Sequence, residues 1–177
     1  MKQKQRGLAT FALYAFLTVF ILFLTPRYLL EKIDVKGISM ENTLETGEQV
    51  LIEKVSRYFT DPDRFSIVVF ERQTGERVTT YIKRVIGLPG ETVQIIGTTI
   101  YINGEPLDDT YGIEPIADGG IAVDPITLGK GEFFLLGDNR GYSIDSRDSR
   151  VGIVKKEEIV GTVFFRLTPL SRIGSVR

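Results

Sequence analysis

One stretch of chain constrains the molecule more than any other. Residues 7–26, GLATFALYAFLTVFILFLTP, contain no Asp, Glu, Lys or Arg. A helix of about 20 apolar residues crosses the ~30 Å hydrocarbon core of a bilayer. The run has no polar face, which argues against a surface helix of a soluble domain. A cleaved export signal would carry a shorter apolar region followed by a small-x-small site, whereas this run continues into Thr25–Pro26–Arg27–Tyr28. The sequence therefore predicts a transmembrane anchor over residues 7–28, a short N-terminus over 1–6 and a folded domain over 29–177. Lys2, Lys4 and Arg6 precede the run, and Arg27 and Lys32 follow it. Counting these near flanks, the positive-inside rule places the N-terminus in the cytoplasm and the domain outside the cell membrane. The expected protein is single-pass, monomeric and in contact with the lipid bilayer.

Beyond residue 35 the pattern changes to short β-like runs. They are Gln49–Lys54, Ser66–Glu71, Thr80–Ile86, Thr92–Ile96, Thr99–Asn103, Glu132–Leu136 and Ile159–Leu167. All are rich in Val, Ile, Phe, Tyr and Thr, and Gly, Pro or Asp clusters separate several of them. Helical periodicity is scarce, with room for one short helix near Pro62 or over Lys155–Glu158. The expected fold is mainly β, an antiparallel sandwich or barrel-like domain. Asn103–Gly104 reads as the turn of a hairpin with residues 92–96. Residues 106–131, rich in Gly, Pro and Asp, read as a long surface excursion.

Two absences narrow the chemistry. The chain has no Cys and no His. Disulfides, thiolate catalysis, a Ser–His–Asp triad and His-based zinc sites are excluded. Any serine nucleophile must be activated by Lys, by a carboxylate or by a terminal amine. A net charge of −1 gives no footprint for nucleic acid. No cofactor or metal is expected.

Three segments could carry chemistry. Ser39 sits in GISMENTL, with Gly37 supplying backbone freedom beside it. Lys83 sits in the apolar run YIKRVIGLPG. Strand alternation puts Tyr81, Lys83 and Val85 on one face and Ile82, Arg84 and Ile86 on the other. A lysine held among apolar groups is disfavoured as a cation, and its neutral amine can take a hydroxyl proton. The third segment, GDNRGYSIDSRDSR over residues 137–150, interleaves Asp138, Asp145 and Asp148 with Arg140, Arg147 and Arg150. That mixture opposes a calcium site and suits an ion-pair network. A hydroxyl such as Ser143 could orient a lysine amine. Read singly, each segment also has a plain explanation: a serine in a turn, a lysine reaching to solvent, a solvated charged loop.

Taken together and in order, the three segments resemble the bacterial type I signal peptidases. That family carries boxes of the form G-x-S-M-x-P-T-L, Y-I-K-R-V-I-G-x-P-G and G-D-N-R-x-x-S-x-D-S-R. The resemblance spans essentially the whole chain. It implies a membrane-bound serine endopeptidase that removes leader peptides from exported pre-proteins. It implies Ser39 as nucleophile, Lys83 as general base and Ser143 as the group that hydrogen-bonds the amine. It further implies an Asp145–Arg147 ion pair, with Asp138 and Arg84 as structural polar partners. Shallow pockets for small side chains would involve Ile33, Val35, Met40, Leu44, Tyr81 and Ile82. The Ser39 backbone N–H would serve the oxyanion. Position 37, where some members place a hydroxyl donor, is Gly. Asn42 stands where the family usually has Pro, and Phe65–Ser66 where it usually has Gly-Asp. Asn42 is expected to loosen a turn, and Phe65 to enlarge an apolar, membrane-facing surface. Other readings are a self-cleaving repressor with the same dyad, which would need a DNA-binding module, or an anchored β scaffold whose dyad has lapsed.

Overall fold

The structure, a computed structural model, describes residues 2–20 and 29–176. Among the described residues, the α-helix α1 (Lys2–Val19) precedes twelve strands. Among the described residues, no helix is long and apolar enough to cross a membrane. The second part of the expected anchor, residues 21–28, lies outside the described residues.

The strands are β1 (Leu30–Asp34), β2 (Gln49–Glu53), β3 (Ile67–Thr74), β4 (Arg77–Gly87), β5 (Thr92–Ile96), β6 (Thr99–Ile102), β7 (Glu105–Pro106), β8 (Ile126–Thr127), β9 (Glu132–Leu136), β10 (Val154–Lys155), β11 (Ile159–Thr168) and β12 (Gly174–Ser175). They form two antiparallel sheets. The larger runs β1-β2-β11-β3-β4-β9-β10, with β12 on β11, and the smaller runs β7-β6-β5-β8. The domain is thus mainly antiparallel β.

The apolar runs have a direct cause. Ile67 and Val69 of β3 enter one buried cluster while Val68 and Phe70 enter another. On β9, Phe133 and Leu135 divide from Phe134 and Leu136 in the same way. The central strands are covered on both faces, so successive side chains are all apolar instead of alternating with polar ones. One cluster gathers Val35, Met40, Leu44, Val50, Ile52 and Val163 beneath the Ser39 turn.

Several local expectations are corrected. The hairpin β5–β6 pairs Ile96 with Thr99, so Gly97–Thr98 closes it. Asn103–Gly104 instead leads β6 into β7, which pairs Ile102 with Glu105. The 106–131 excursion is not all surface. Ile116, Ala122 and Leu128 are buried against the small sheet, and β8 pairs with β5. Asp109 also turns inward, pairing with the buried Arg140. Short 3-10 turns occur at Ser56–Tyr58 and Lys156–Glu158. Phe65 is not an outward apolar surface. It takes a left-handed backbone (φ 69°), packs against the core beside the small sheet and lies 5.1 Å from the Tyr111 ring.

Gly161 marks the closest approach inside the large sheet. A Cβ there would fall 2.4 Å from the Glu53 carbonyl oxygen, on the strand that bridges β2 and β3. Backbone in a paired strand cannot yield as a side chain can. Gly161→Ala is expected to destabilise the domain by about 2–3 kcal/mol, read as a lowered midpoint in thermal unfolding. An unchanged midpoint would contradict this packing.

Candidate active site

Ser39 owes its place to a turn and a clamp. β1 ends at Asp34, and Gly37 then takes a left-handed backbone, φ 82°, which glycine adopts without steric cost. The chain turns back through Glu41 N–H to Ile38 O (3.1 Å) and Leu44 N–H to Met40 O (2.7 Å). Asn42 is also left-handed, φ 80°. Proline is locked near −65° and cannot take this conformation. The turn is therefore of a different kind from a proline turn, and the Thr43 and Leu44 N–H groups both bond Met40 O. From the far side of the sequence, Asn139 N–H donates to Ser39 O (3.1 Å) and Asn139 Nδ2 to Ile38 O (3.1 Å). The closing loop comes so near that a Cβ on Gly137 would lie 2.5 Å from Ser39 O.

Lys83 arrives from the middle of β4. Tyr81 and Val85 pack in one cluster, and Ile82 and Ile86 in others, so the strand is covered on both sides. The Lys83 residue is 3% exposed. Its Nζ lies 2.7 Å from Ser39 Oγ and 3.0 Å from Ile82 O. At 2.7 Å, an ammonium donates to the hydroxyl, and a neutral amine accepts the hydroxyl's proton across the same contact. Burial pushes the Lys83 amine down to about 8, against an upward pull from the carboxylates of Asp145 and Asp138. Loss of hydration for the charged form outweighs two carboxylates that are each already paired.

Those pairs hold the walls. Arg84 and Asp138 are both 0% exposed and meet through Nε–Oδ1 (2.8 Å) and Nη2–Oδ2 (2.7 Å). Arg84 Nη1 donates to Phe65 O at 2.7 Å, and its guanidinium lies 3.7 Å from the Tyr111 ring centroid. Arg147 grips Asp145 through Nε (2.8 Å) and Nη2 (2.9 Å), and Asp145 Oδ2 accepts from Gly137 N–H (3.0 Å). Removing one partner of such a buried pair strands a charge, at about 3–5 kcal/mol. Asp148 and Arg150 form a third, exposed pair, and the guanidinium holds the Asp148 carboxyl at about 2.

Ser143 departs from expectation. Its Oγ is buried without a hydrogen-bond partner, so Lys83 is bonded by Ser39 and Ile82 O and not by Ser143. The hydroxyl is instead held against Gly137, where a Cβ would lie 2.2 Å from it.

The two groups open into a groove of about 500 Å³. Ile33, Val35, Met40, Tyr81 and Ile82 line it. Leu44 does not; it is 0% exposed within the cluster below. Sequence reasoning did not single out Ile38, Tyr142 and Ile144, which also line the groove and are exposed by 43%, 69% and 43%. Apolar residues flanking a serine and a closing loop were the available signal. Among the described residues, no group of three or more Asp and Glu is placed to hold a metal ion.

The chain is similar in sequence to known proteins. The family "Signal peptidase, peptidase S26" matches residues 8–168. A signal peptidase I of Bacillus licheniformis is 34% identical over 168 residues, covering 89% of this chain and 87% of the relative. Signal peptidase I T of Bacillus subtilis (strain 168) is 34% identical over 172 residues, covering 91% and 86%. A signal peptidase I of Leptolyngbya laminosa is 38% identical over 144 residues, covering 78% and 68%. A solved signal peptidase I from Enterococcus faecalis V583 aligns at 34% identity and a TM-score of 0.47, over 58% of this chain and 97% of that one. Family matching covers the turn, the β4 lysine and the closing loop alike, and on that sequence evidence this chain belongs to the signal peptidase family, peptidase S26.

Proposed function

We propose that this chain is a membrane-anchored serine endopeptidase that removes leader peptides from exported pre-proteins, with Ser39 as nucleophile and Lys83 as general base. The observation that carries the reading is the 2.7 Å contact between Lys83 Nζ and Ser39 Oγ, made by a lysine that is 3% exposed as a residue and lines an open groove.

Neutral Lys83 takes the Ser39 proton as Oγ attacks the carbonyl carbon before the scissile bond. The Ser39 backbone N–H stabilises the oxyanion. Lys83, now charged, returns its proton to the departing amine, leaving an acyl-enzyme. The neutral amine then takes a proton from water as the water oxygen attacks the ester, and gives that proton to Ser39 Oγ as the acyl group leaves, which restores the starting dyad. Asp145–Arg147 and Asp138–Arg84 hold the closing loop and β4 around the reacting groups.

Two open strand edges support an extended substrate. β1 is the terminal strand of the large sheet. On β4, pairing with β9 begins only at Arg84, although pairing with β3 runs from Arg77 to Arg84. Lys32–Gly37 and Thr80–Lys83 both line the groove, so a peptide can add between them as a strand. Its alternate side chains would enter shallow pockets lined by Ile33, Val35, Met40, Tyr81 and Ile82, which admit small groups such as the alanines of Ala-x-Ala.

The uncharged run before β1 supports the anchor. It would fix the domain, residues 29–177 with its 106–131 insertion, as a monomer on the outer face of the membrane, with residues 1–6 in the cytoplasm. β1 spans five residues, roughly 17 Å at the rise of a strand. Ser39 would thus lie a short extended segment from the bilayer, where the leader's apolar helix resides. Shared attachment to one surface raises effective concentration without any added contact.

Ser39→Ala and Lys83→Ala should each lower cleavage of a leader-bearing precursor by about 1,000-fold or more, with unchanged circular dichroism. Near-normal cleavage by either variant would defeat the dyad. The pH profile has a definite sign. With the amine pushed down to about 8, a proton occupies it at lower pH and blocks its role as base. The kcat/KM for a leader peptide should rise with pH through about 8 and then level. A profile flat across that region, or one that rises only near pH 10, would contradict a dry amine.

A further inference from the structure

The turn that carries Ser39 is gripped at Thr43 from two directions. The Thr43 hydroxyl donates to Asp138 Oδ2 and accepts from Arg84 Nη2 at 3.2 Å. The Thr43 carbonyl accepts from Arg166 Nη2, with Arg172 Nη2 at 3.5 Å. The first grip belongs to the closing loop and β4. The second comes from β11 and the 3-10 turn Leu170–Arg172, more than 120 residues along the chain.

A buried carboxylate organises this second grip. Glu48 is 3% exposed. Its Oε2 lies 2.9 Å from Arg166 Nε, and its Oε1 lies 2.9 Å from Arg172 Nη1. Glu45 lies 2.5 Å from the same Arg172 nitrogen, so two carboxylates balance two guanidinium groups. None of these four residues lines the groove. A turn that needed only to be closed could leave its carbonyl to water. Dehydrating a carboxylate and an arginine carries a desolvation penalty that the pairing seldom turns into net stability. What such a cluster does supply is a fixed direction for the peptide it holds. Proton transfer between Ser39 and Lys83 requires heavy atoms within about 2.6–3.2 Å, and a 1 Å misplacement reduces rates about 100-fold.

We propose that Arg166, held by Glu48, is a positioning residue for Ser39: by fixing the Thr43 carbonyl it sets the turn that presents the serine hydroxyl to Lys83. This rests on the dyad reading above. Two ion pairs, Asp138–Arg84 and Glu48–Arg166, thereby converge on one residue four positions past the nucleophile.

The test uses the full chain in detergent and a leader-derived peptide with an Ala-x-Ala site. Arg166→Gln is expected to lower kcat by about tenfold or more, with KM within about twofold because no groove residue changes. The rise of kcat/KM with pH should keep its midpoint, since Lys83 is untouched. Arg166→Lys should recover part of kcat by restoring a donor and a charge. Glu48→Gln combined with Arg166→Met removes both charges of the pair, so it should melt near the parent yet stay slow. The proposal is overturned if Arg166→Gln turns over at the parent kcat, if the loss lies in KM alone, or if the double variant recovers kcat along with its melting point. Ser39→Ala runs in the same assay. Parent cleavage that survives it sinks the dyad reading, whereas a failure of this proposal shows only in the ratio of Arg166→Gln to the parent.

Discussion

A lysine amine kept from water beside one hydroxyl is the condition on which the rest of this structure depends. In solvent the amine would be an ammonium, able to donate to Ser39 but not to accept from it. Its burial in β4 lowers the cost of neutrality. The fold provides that burial because β4 is covered on both faces around Lys83, which lines the groove at the point where pairing with β9 begins. Nearby Asp145 and Asp138 pull the other way, but each is occupied by an arginine at 2.7–2.9 Å. A carboxylate in either place without its arginine would tend to recharge the amine.

The same ion pairs solve a second problem. Ser39 lies on a turn rather than within a strand, and turns are the part of a domain least constrained by the sheet. Here the turn is fixed by Asn139 on the carbonyls of Ile38 and Ser39 and by Asp138 and Arg84 on Thr43. Asp138 therefore acts twice, as a partner of Arg84 and as an acceptor for the Thr43 hydroxyl. The insertion contributes as well, because Tyr111 covers the Arg84 guanidinium and keeps this pair away from water.

Much of this was legible in the sequence, for identifiable reasons. Interior strands buried on both faces leave continuous Val, Ile and Phe runs, and β3, β9 and the core half of β4 were found from those. The dyad segments were readable because each carries an uncommon residue in a dense local pattern. β1 was not found. It is an edge strand whose residues Leu30–Asp34 are mostly exposed, so LEKID carries charges where alternation was sought. The two-residue strands β7, β8, β10 and β12 exist only through their partners and have no local signature. Phe65 was placed on the surface because nothing local shows that a left-handed backbone turns it inward. Ser143 and Leu44 show a different limit. A motif gives order along the chain, but whether a hydroxyl meets an amine or a leucine meets a groove depends on packing. The Arg166–Glu48 contact joins residues too far apart for any local pattern to reveal.

The central claim concerns the protonation of one nitrogen, and it can be read directly. Selective isotope labelling of lysine, with Lys83→Arg to assign the signal, allows the Lys83 side chain to be followed by NMR in a pH titration of the intact protein in detergent. An inflection at about 8 is the predicted result. An inflection close to the ordinary lysine value of about 10.4 would mean that the amine remains hydrated and charged, and that it cannot be the base for Ser39.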